Sequence, residues 1–204
     1  MNKKMKKSLP YALTAVAVCA CAVCFCAPAR AADTGKAKSA EKPGKDSKKM
    51  ICAYRNGNCN GFPFASMRER RGYLELYDNG NCNGIPTRSL RKTSRDCAFY
   101  PNGNCNGIPT EYFRYTGRGV EFYPNGNGNG MPTWFFEVKG QTVFVYDNGN
   151  GNGFPKWSIR RKGGVAEFYP NGNCNGMPEA SVNGVEDVRD AIEFMFYLFI
   201  RPKK

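Results

Sequence analysis

The chain contains no histidine. That removes the side chain most often used as a general base near neutral pH and as a metal ligand. No serine or cysteine sits beside another obvious base, so the usual nucleophile–base pairings cannot be assembled. The sequence therefore reads as non-enzymatic, with no catalytic residue, no cofactor and no metal site expected. Tryptophan is scarce, with two in 204 residues, and Asp and Glu number 17 against 30 Lys and Arg. No helical signal precedes Val185. Glycine (23 residues) and proline (13) are instead abundant, as is asparagine, which argues against an ordinary globular core and for something repetitive.

Residues 1–31 have the layout of a secretory signal: Lys3, Lys4, Lys6 and Lys7, an apolar run from Leu9 to Phe25, and a small-x-small site at Ala29-Arg30-Ala31. Cleavage is expected after Ala31. The apolar run is shorter than the ~20 residues that span a bilayer, and Val18-Cys19-Ala20-Cys21 matches a lipobox only loosely, so an exported chain, periplasmic or secreted, is favoured over an anchored or lipid-modified one. Residues 32–49 are Lys-rich and have no aromatic residue, which fits a flexible basic linker. Loss of Lys3, Lys4, Lys6, Lys7 and Arg30 lowers the net charge of +13 to +8.

From Met50 onward the block Tyr-x-Asn-Gly-Asn-x-Asn-Gly-apolar-Pro occurs six times, and Pro63, Pro86, Pro109, Pro132, Pro155 and Pro178 fall 23 residues apart without an insertion. Ahead of each block the residues alternate, as in Val120-Glu121-Phe122-Tyr123, the period of a half-buried strand. Leu76, Phe99, Phe122, Val145 and Phe168 face one way. Tyr54, Tyr77, Tyr100, Tyr123, Tyr146 and Tyr169 face the other and form a ladder, which with Trp134 and Trp157 is a candidate ligand face. Asn-Gly pairs reverse the chain, and the following proline fits a strand start or bulge. The expected fold is all-β: a single-layer meander of six tandem 23-residue hairpins over residues 50–184, about twelve strands, with a short capping helix in 185–204.

These blocks resemble the MORN repeat family, in particular its bacterial variant repeats. The 23-residue period and an aromatic-x-Asn-Gly-x-x-x-Gly turn reappear in Tyr77-Asp78-Asn79-Gly80-Asn81-Cys82-Asn83-Gly84, and the resemblance runs from Met50 to Val182. It departs where proline replaces a second-strand glycine, where the second-turn glycine shifts by one residue, and where asparagine replaces Lys and His in the turn. The resemblance implies the hairpin fold and permits an antitoxin or immunity partner, which an export signal disfavours. Wall-binding aromatic repeats are a weaker likeness, with a shorter period and denser tryptophan; Trp134 and Trp157 alone speak for it.

Six cysteines follow the signal. Cys59, Cys82, Cys105 and Cys174 share one loop position, where the fourth and fifth copies have Gly128 and Gly151. Equivalent positions of adjacent hairpins are roughly 9–10 Å apart, beyond the ~7 Å a disulfide tolerates, so neighbouring loop cysteines are not expected to pair. Pairing with Cys52 or Cys97, pairing between chains and free thiols stay open, with some disulfide expected in an oxidising compartment. Arg68, Arg70, Arg71, Arg91, Lys92, Arg95, Arg114, Arg118, Arg160, Arg161 and Lys162 gather near the ends of second strands. They are a candidate stripe for an anionic partner or, more plainly, charges that keep β edges from aggregating.

Val185, Val188, Ile192, Met195, Phe196 and Phe199 follow helical spacing, with Glu186, Asp187, Arg189, Asp190 and Glu193 opposite. This amphipathic helix is expected to cover the last hairpin. The function expected is a protein-binding or scaffold module. Anionic lipid or envelope polysaccharide is the alternative ligand, nucleic acid is not expected, and a homo-oligomer remains open.

Overall fold

The computed structural model describes residues 49–201. The segments read as a signal peptide and a linker, up to residue 48, and residues 202–204 lie outside the described residues. Twelve strands follow one another: β1 (Met50–Tyr54), β2 (Ala65–Arg70), β3 (Tyr73–Tyr77), β4 (Arg88–Lys92), β5 (Asp96–Tyr100), β6 (Glu111–Tyr115), β7 (Gly119–Tyr123), β8 (Trp134–Lys139), β9 (Thr142–Tyr146), β10 (Trp157–Lys162), β11 (Val165–Tyr169) and β12 (Ala180–Asn183). Helix α1 (Val188–Met195) and a π-helical turn at Phe196–Ile200 complete the chain.

Every strand pairs antiparallel with its neighbours in the chain, and β1 also pairs with β12 through Cys52↔Asn183, Ala53↔Val182 and Tyr54↔Ser181. The sheet is thus a closed barrel with no free edge. The expectation of an open single layer is corrected: each end strand finds the other, so neither is left with a row of unpaired backbone groups.

The period-2 alternation sorts side chains between wall faces. Met67 opposes Leu76 and Leu90 opposes Phe99, and all four are buried in a core that also holds Phe113, Phe122, Phe136, Val145, Ile159 and Phe168. Ser66 opposes Tyr77 and Ser89 opposes Tyr100 on the outer face. That exterior is polar, with Arg68–Glu75 and Arg160–Glu167 ion pairs on strands of four to six residues. A membrane-spanning barrel instead shows an apolar outer band on strands of ~9–11 residues. No described helix is long and apolar enough to cross a membrane.

Twelve strands spaced ~4.8 Å apart and tilted by about 40° close a cylinder roughly 24 Å across. Once the wall side chains point inward, the space left is about the width of one helix, and α1 occupies it. Asp187 caps the helix, accepting from the Arg189 backbone N–H at 2.9 Å. Phe196 packs on Phe113, Phe122, Trp134 and Phe136, Tyr197 stacks on Phe99, and Phe199 meets Phe64 and Phe168. Contacts therefore come from around the wall. The helix does not cap a terminal hairpin, because closure leaves no such end; it fills the lumen.

Its polar face is inside as well. The Asp190 carboxylate accepts from Lys49 Nζ at 2.5 Å and from Lys92 Nζ at 2.8 Å, and Glu193, fully buried, lies 3.3 Å from Lys92 and accepts from the Tyr115 hydroxyl. At the far end Arg201 pairs with Glu111. Burial pushes the Glu193 carboxyl up to about 7, with Lys92 and the Tyr115 hydroxyl pulling it back and Asp190 adding to the rise. Burial also acts on Asp190, but Lys92 and Lys49 outweigh it and hold that carboxyl below its ordinary value. Asp190 is thus the standing anion of the cluster.

This gives a pH dependence with a definite sign. Between the ordinary Glu value of 4.5 and about 7, the folded protein retains a proton that the unfolded chain has released. Stability therefore falls as pH rises through that window, by up to about 3 kcal/mol. With no histidine in the chain, the opposing effect comes from the lowered carboxyls Glu75, Glu137, Glu167 and Asp190, and it is confined to the acid end of this window. The melting temperature is expected to be higher at pH 5.5 than at pH 8, and Glu193→Gln, which keeps the acceptor for Tyr115, is expected to flatten the profile. An unchanged pH profile in that variant would assign the dependence elsewhere.

Candidate functional site: the loop rim

The two barrel ends differ. At one, short turns such as Arg71-Gly72 link the strands, and there the chain enters α1. At the other, six ten-residue loops carry the Asn-Gly blocks. In each loop the first asparagine acts as a clamp: Asn79 Nδ2 donates to Asn83 O at 2.8 Å while its Oδ1 accepts from the Asn81 and Asn83 backbone N–H groups, both at 3.3 Å. The Nδ2 bond recurs at Asn56, Asn102, Asn125, Asn148 and Asn171. This local closure is why asparagine holds the position.

The loops are then laid on the wall. Gly80 approaches Pro63 so closely that a Cβ would fall 2.1 Å from the Pro63 carbonyl oxygen, and the remaining loops repeat this contact around to Gly57 on Pro178. The Ser66 hydroxyl donates to Asn79 O at 2.5 Å and accepts from the Cys82 backbone N–H at 2.9 Å. Ser89, Ser158 and Ser181 do the same for the loops of Cys105, Cys174 and Cys59. Where the loop carries Gly128 or Gly151, the facing residue is Tyr112 or Phe135, whose ring lies 2.5 or 2.4 Å from where a Cβ would stand. Cysteine with serine and glycine with an aromatic ring are thus two solutions to one packing problem. Sequence reasoning missed this, although a correlation between the loop position and the residue 16 places upstream carries the signal.

After the clamp, each loop turns out at a glycine in the left-handed region, φ +83° to +89°, and the next side chain is thrown into solvent. Phe62, Ile85, Ile108, Met131, Phe154 and Met177 are 85–99% exposed. Among the described residues the only other exposed large apolar side chain is Met50. The segments that carry the tips, from first asparagine to proline, contain no charged residue in any copy. Six large apolar side chains therefore stand in a ring on uncharged tip segments, with exposed charges such as Arg55, Asp78 and Lys156 at the loop bases.

The residues singled out from sequence are distributed differently. Tyr77, Tyr100, Tyr123, Tyr146 and Tyr169 are on the outer wall but buried, and Tyr54 is half-buried. Tyr77 donates to Glu75 at 2.5 Å and accepts from Arg68 at 2.6 Å; Tyr123 bonds Glu121 and Arg114, and Tyr169 bonds Glu167 and Arg160. Burial, then the Glu75 contact, pushes the Tyr77 hydroxyl up to about 12. Trp134 and Trp157 are on the inner face, 5.3 Å apart between ring centroids. The tyrosines and tryptophans do not form one ligand face, because the strand alternation sends them to opposite sides.

The basic residues are not one stripe either. Arg68, Arg114 and Arg160 serve the tyrosine–glutamate pairs, Arg70 and Lys162 reach the same glutamates, Lys92 belongs to the lumen cluster, and Arg161 contacts Val185 O and Gln141. Arg71, Arg91, Arg95 and Arg118 are exposed toward the turn rim, with Arg91 over Tyr100 and Arg118 over Phe135. Cys52, Cys59, Cys82, Cys97, Cys105 and Cys174 are free thiols, and no two stand at disulfide distance. Cys97 is inside the barrel, where burial pushes its thiol well up, while the loop cysteines are outside. Among the described residues no disulfide forms within the chain, so the expected pairing of a loop cysteine with Cys52 or Cys97 is corrected. No cluster of metal-ligating side chains occurs among the described residues.

No protein-family model matches the chain, and neither a curated protein nor a solved structure is similar to it.

Proposed function

We propose that the chain is an exported, non-catalytic binding module whose binding element is the loop rim. The observation that carries this reading is the ring of six apolar side chains. Single exposed apolar side chains are ordinary on a soluble protein, but six nearly fully exposed ones at the same loop position around one rim, together on the order of 1,000 Å², are not. The MORN-like reading of the chain as six 23-residue hairpin units supports a role in presentation rather than chemistry, since one tip per unit repeats a contact six times. The signal-like first 31 residues support an exported location, periplasmic or secreted, for that contact.

The reading is tested by mixing the purified chain with envelope material and soluble extract from an expressing cell and measuring what is retained. Replacing all six tip residues by serine, at positions where no side chain packs on the barrel, is expected to leave the melting temperature within about 2 °C and to abolish retention. Equal retention by the variant would remove the rim from the binding function.

A further inference from the structure

Resting on that reading, we infer that the partner of the loop rim is the surface of a lipid bilayer, entered by the six apolar tips and held by hydrocarbon rather than by charge. Three features of the rim select this occupant.

The first is that apolarity is kept from loop to loop while shape is not. The tips are Phe62, Ile85, Ile108, Met131, Phe154 and Met177, two aromatic, two β-branched and two unbranched. A protein partner that reads six positions by packing rewards particular shapes, because interfaces are packed as closely as interiors. Fluid hydrocarbon accepts any of the three.

The second is that the rim offers tips without receptors. At each junction the loop glycine meets a neighbouring loop's proline with no room for even one further carbon, and the recess at the barrel mouth lined by Arg55, Phe64, Asp78 and Tyr197 serves one junction rather than six. A second copy docked rim to rim would bring six tips to a surface that lacks six recesses. A bilayer needs none. The tips, about 12 Å apart around the ring, are well spaced for separate insertion to the shallow depth of ~5–10 Å typical of interfacial binding.

The third is electrical. The tip segments are uncharged in all six copies, and the charges just behind them are balanced in sign: Lys156 pairs with Asp147 and Arg201 with Glu111, while Arg55 and Arg88 stand among Asp78 and Glu179. The exposed arginines Arg71, Arg91, Arg95 and Arg118 belong toward the opposite end. Insertion at this rim thus needs no anionic headgroup. The polar outer wall, with its Arg–Glu–Tyr sets, stops the barrel from sinking further.

The test is co-sedimentation of the full chain with protein-free phosphatidylcholine vesicles and with vesicles containing anionic lipid, at low and high salt. Binding to phosphatidylcholine is expected, changing less than about threefold with salt or anionic lipid. Each of Phe62→Ser and Phe154→Ser is expected to weaken it about tenfold. As a second measurement, Ile108→Trp places a reporter on a tip, and its emission is expected to shift to the blue with vesicles and to be quenched by brominated lipid. Binding confined to anionic vesicles and abolished by salt would overturn the inference in favour of the turn rim. Rim-dependent retention on envelope material without vesicle binding would overturn it in favour of a protein partner and leave the binding module standing. Rim-dependent dimers without vesicle binding would overturn it in favour of a second copy. Rim-independent retention on envelope material and no vesicle binding would remove both readings.

Discussion

A chain ending at Gly184 is expected to lose its cooperative unfolding transition and to bind a hydrophobic dye strongly. The ground is the position of α1 inside the barrel. Ala191, Ile192, Phe194, Met195, Phe196 and Ile200 are all at most 4% exposed. The five larger ones each contribute roughly 1.5–3 kcal/mol by burial before ordering costs, and the sum rivals the whole stability of a typical domain, about 5–15 kcal/mol. Truncation also strips the counter-ions from Lys49 and Lys92 and leaves the Tyr115 hydroxyl facing an apolar void. A twelve-strand wall cannot fill that space with its own side chains, since Ala53, Ala65, Ala166 and Ala180 line parts of it. A graded version is Phe196→Ala, which removes one ring from the contact of four others and is expected to cost about 3–5 kcal/mol. Near-ultraviolet circular dichroism and denaturant unfolding check both variants. A truncated chain that unfolds at the parent midpoint would place the helix outside the barrel.

Much of this arrangement was legible in the sequence, and the part that was not has a common cause. Leu76 and Tyr77 could be sent to opposite faces because strand alternation is local, and the ten-residue loops could be located because Asn79, Gly80 and Pro86 act within their own neighbourhood. Closure is not local. Gly57 and Gly80 sit in nearly identical segments, yet one meets a proline 17 residues earlier and the other a proline 121 residues later. Nothing in either segment says that the last hairpin returns to the first.

The helix was misplaced for the same reason. Asp190 and Glu193 look like a solvent face until their partners are known, and Lys49 and Lys92 lie 141 and 98 residues away from Asp190. The rim tips were visible as the apolar residue before each proline, but nothing in the repeat distinguishes them from the residues of the strand that follows. Their exposure follows from the left-handed glycine before them and the clamp that ties the loop down. Both are settled only when the loop is folded onto the wall.

Closure itself is exposed to a test in which the sign of the effect decides. Gly57 is absent from the glycines with positive φ, so alanine meets no backbone penalty there. In an open stack of hairpins Gly57 would belong to the first unit, with no preceding proline beside it. Gly57→Ala would then be neutral or would stabilise by up to about 1 kcal/mol, by restricting the unfolded chain. In the closed barrel a Cβ at Gly57 falls 2.1 Å from Pro178 Cγ and 2.6 Å from its carbonyl oxygen. The loop cannot simply lift away. The Cys59 backbone N–H donates to Ser181 Oγ at 3.0 Å, and that hydroxyl donates to Asn56 O at 2.5 Å, so relief of the clash breaks bonds across the β1–β12 seam. Gly57→Ala is therefore expected to destabilise by about 2–3 kcal/mol, lowering the melting temperature by roughly 5–10 °C. Gly80→Ala, at an interior junction, is expected to cost a similar amount. Equal losses in the two variants mean that the seam is built like every other junction; a loss at Gly80 with none at Gly57 would mean that the ring is open in solution.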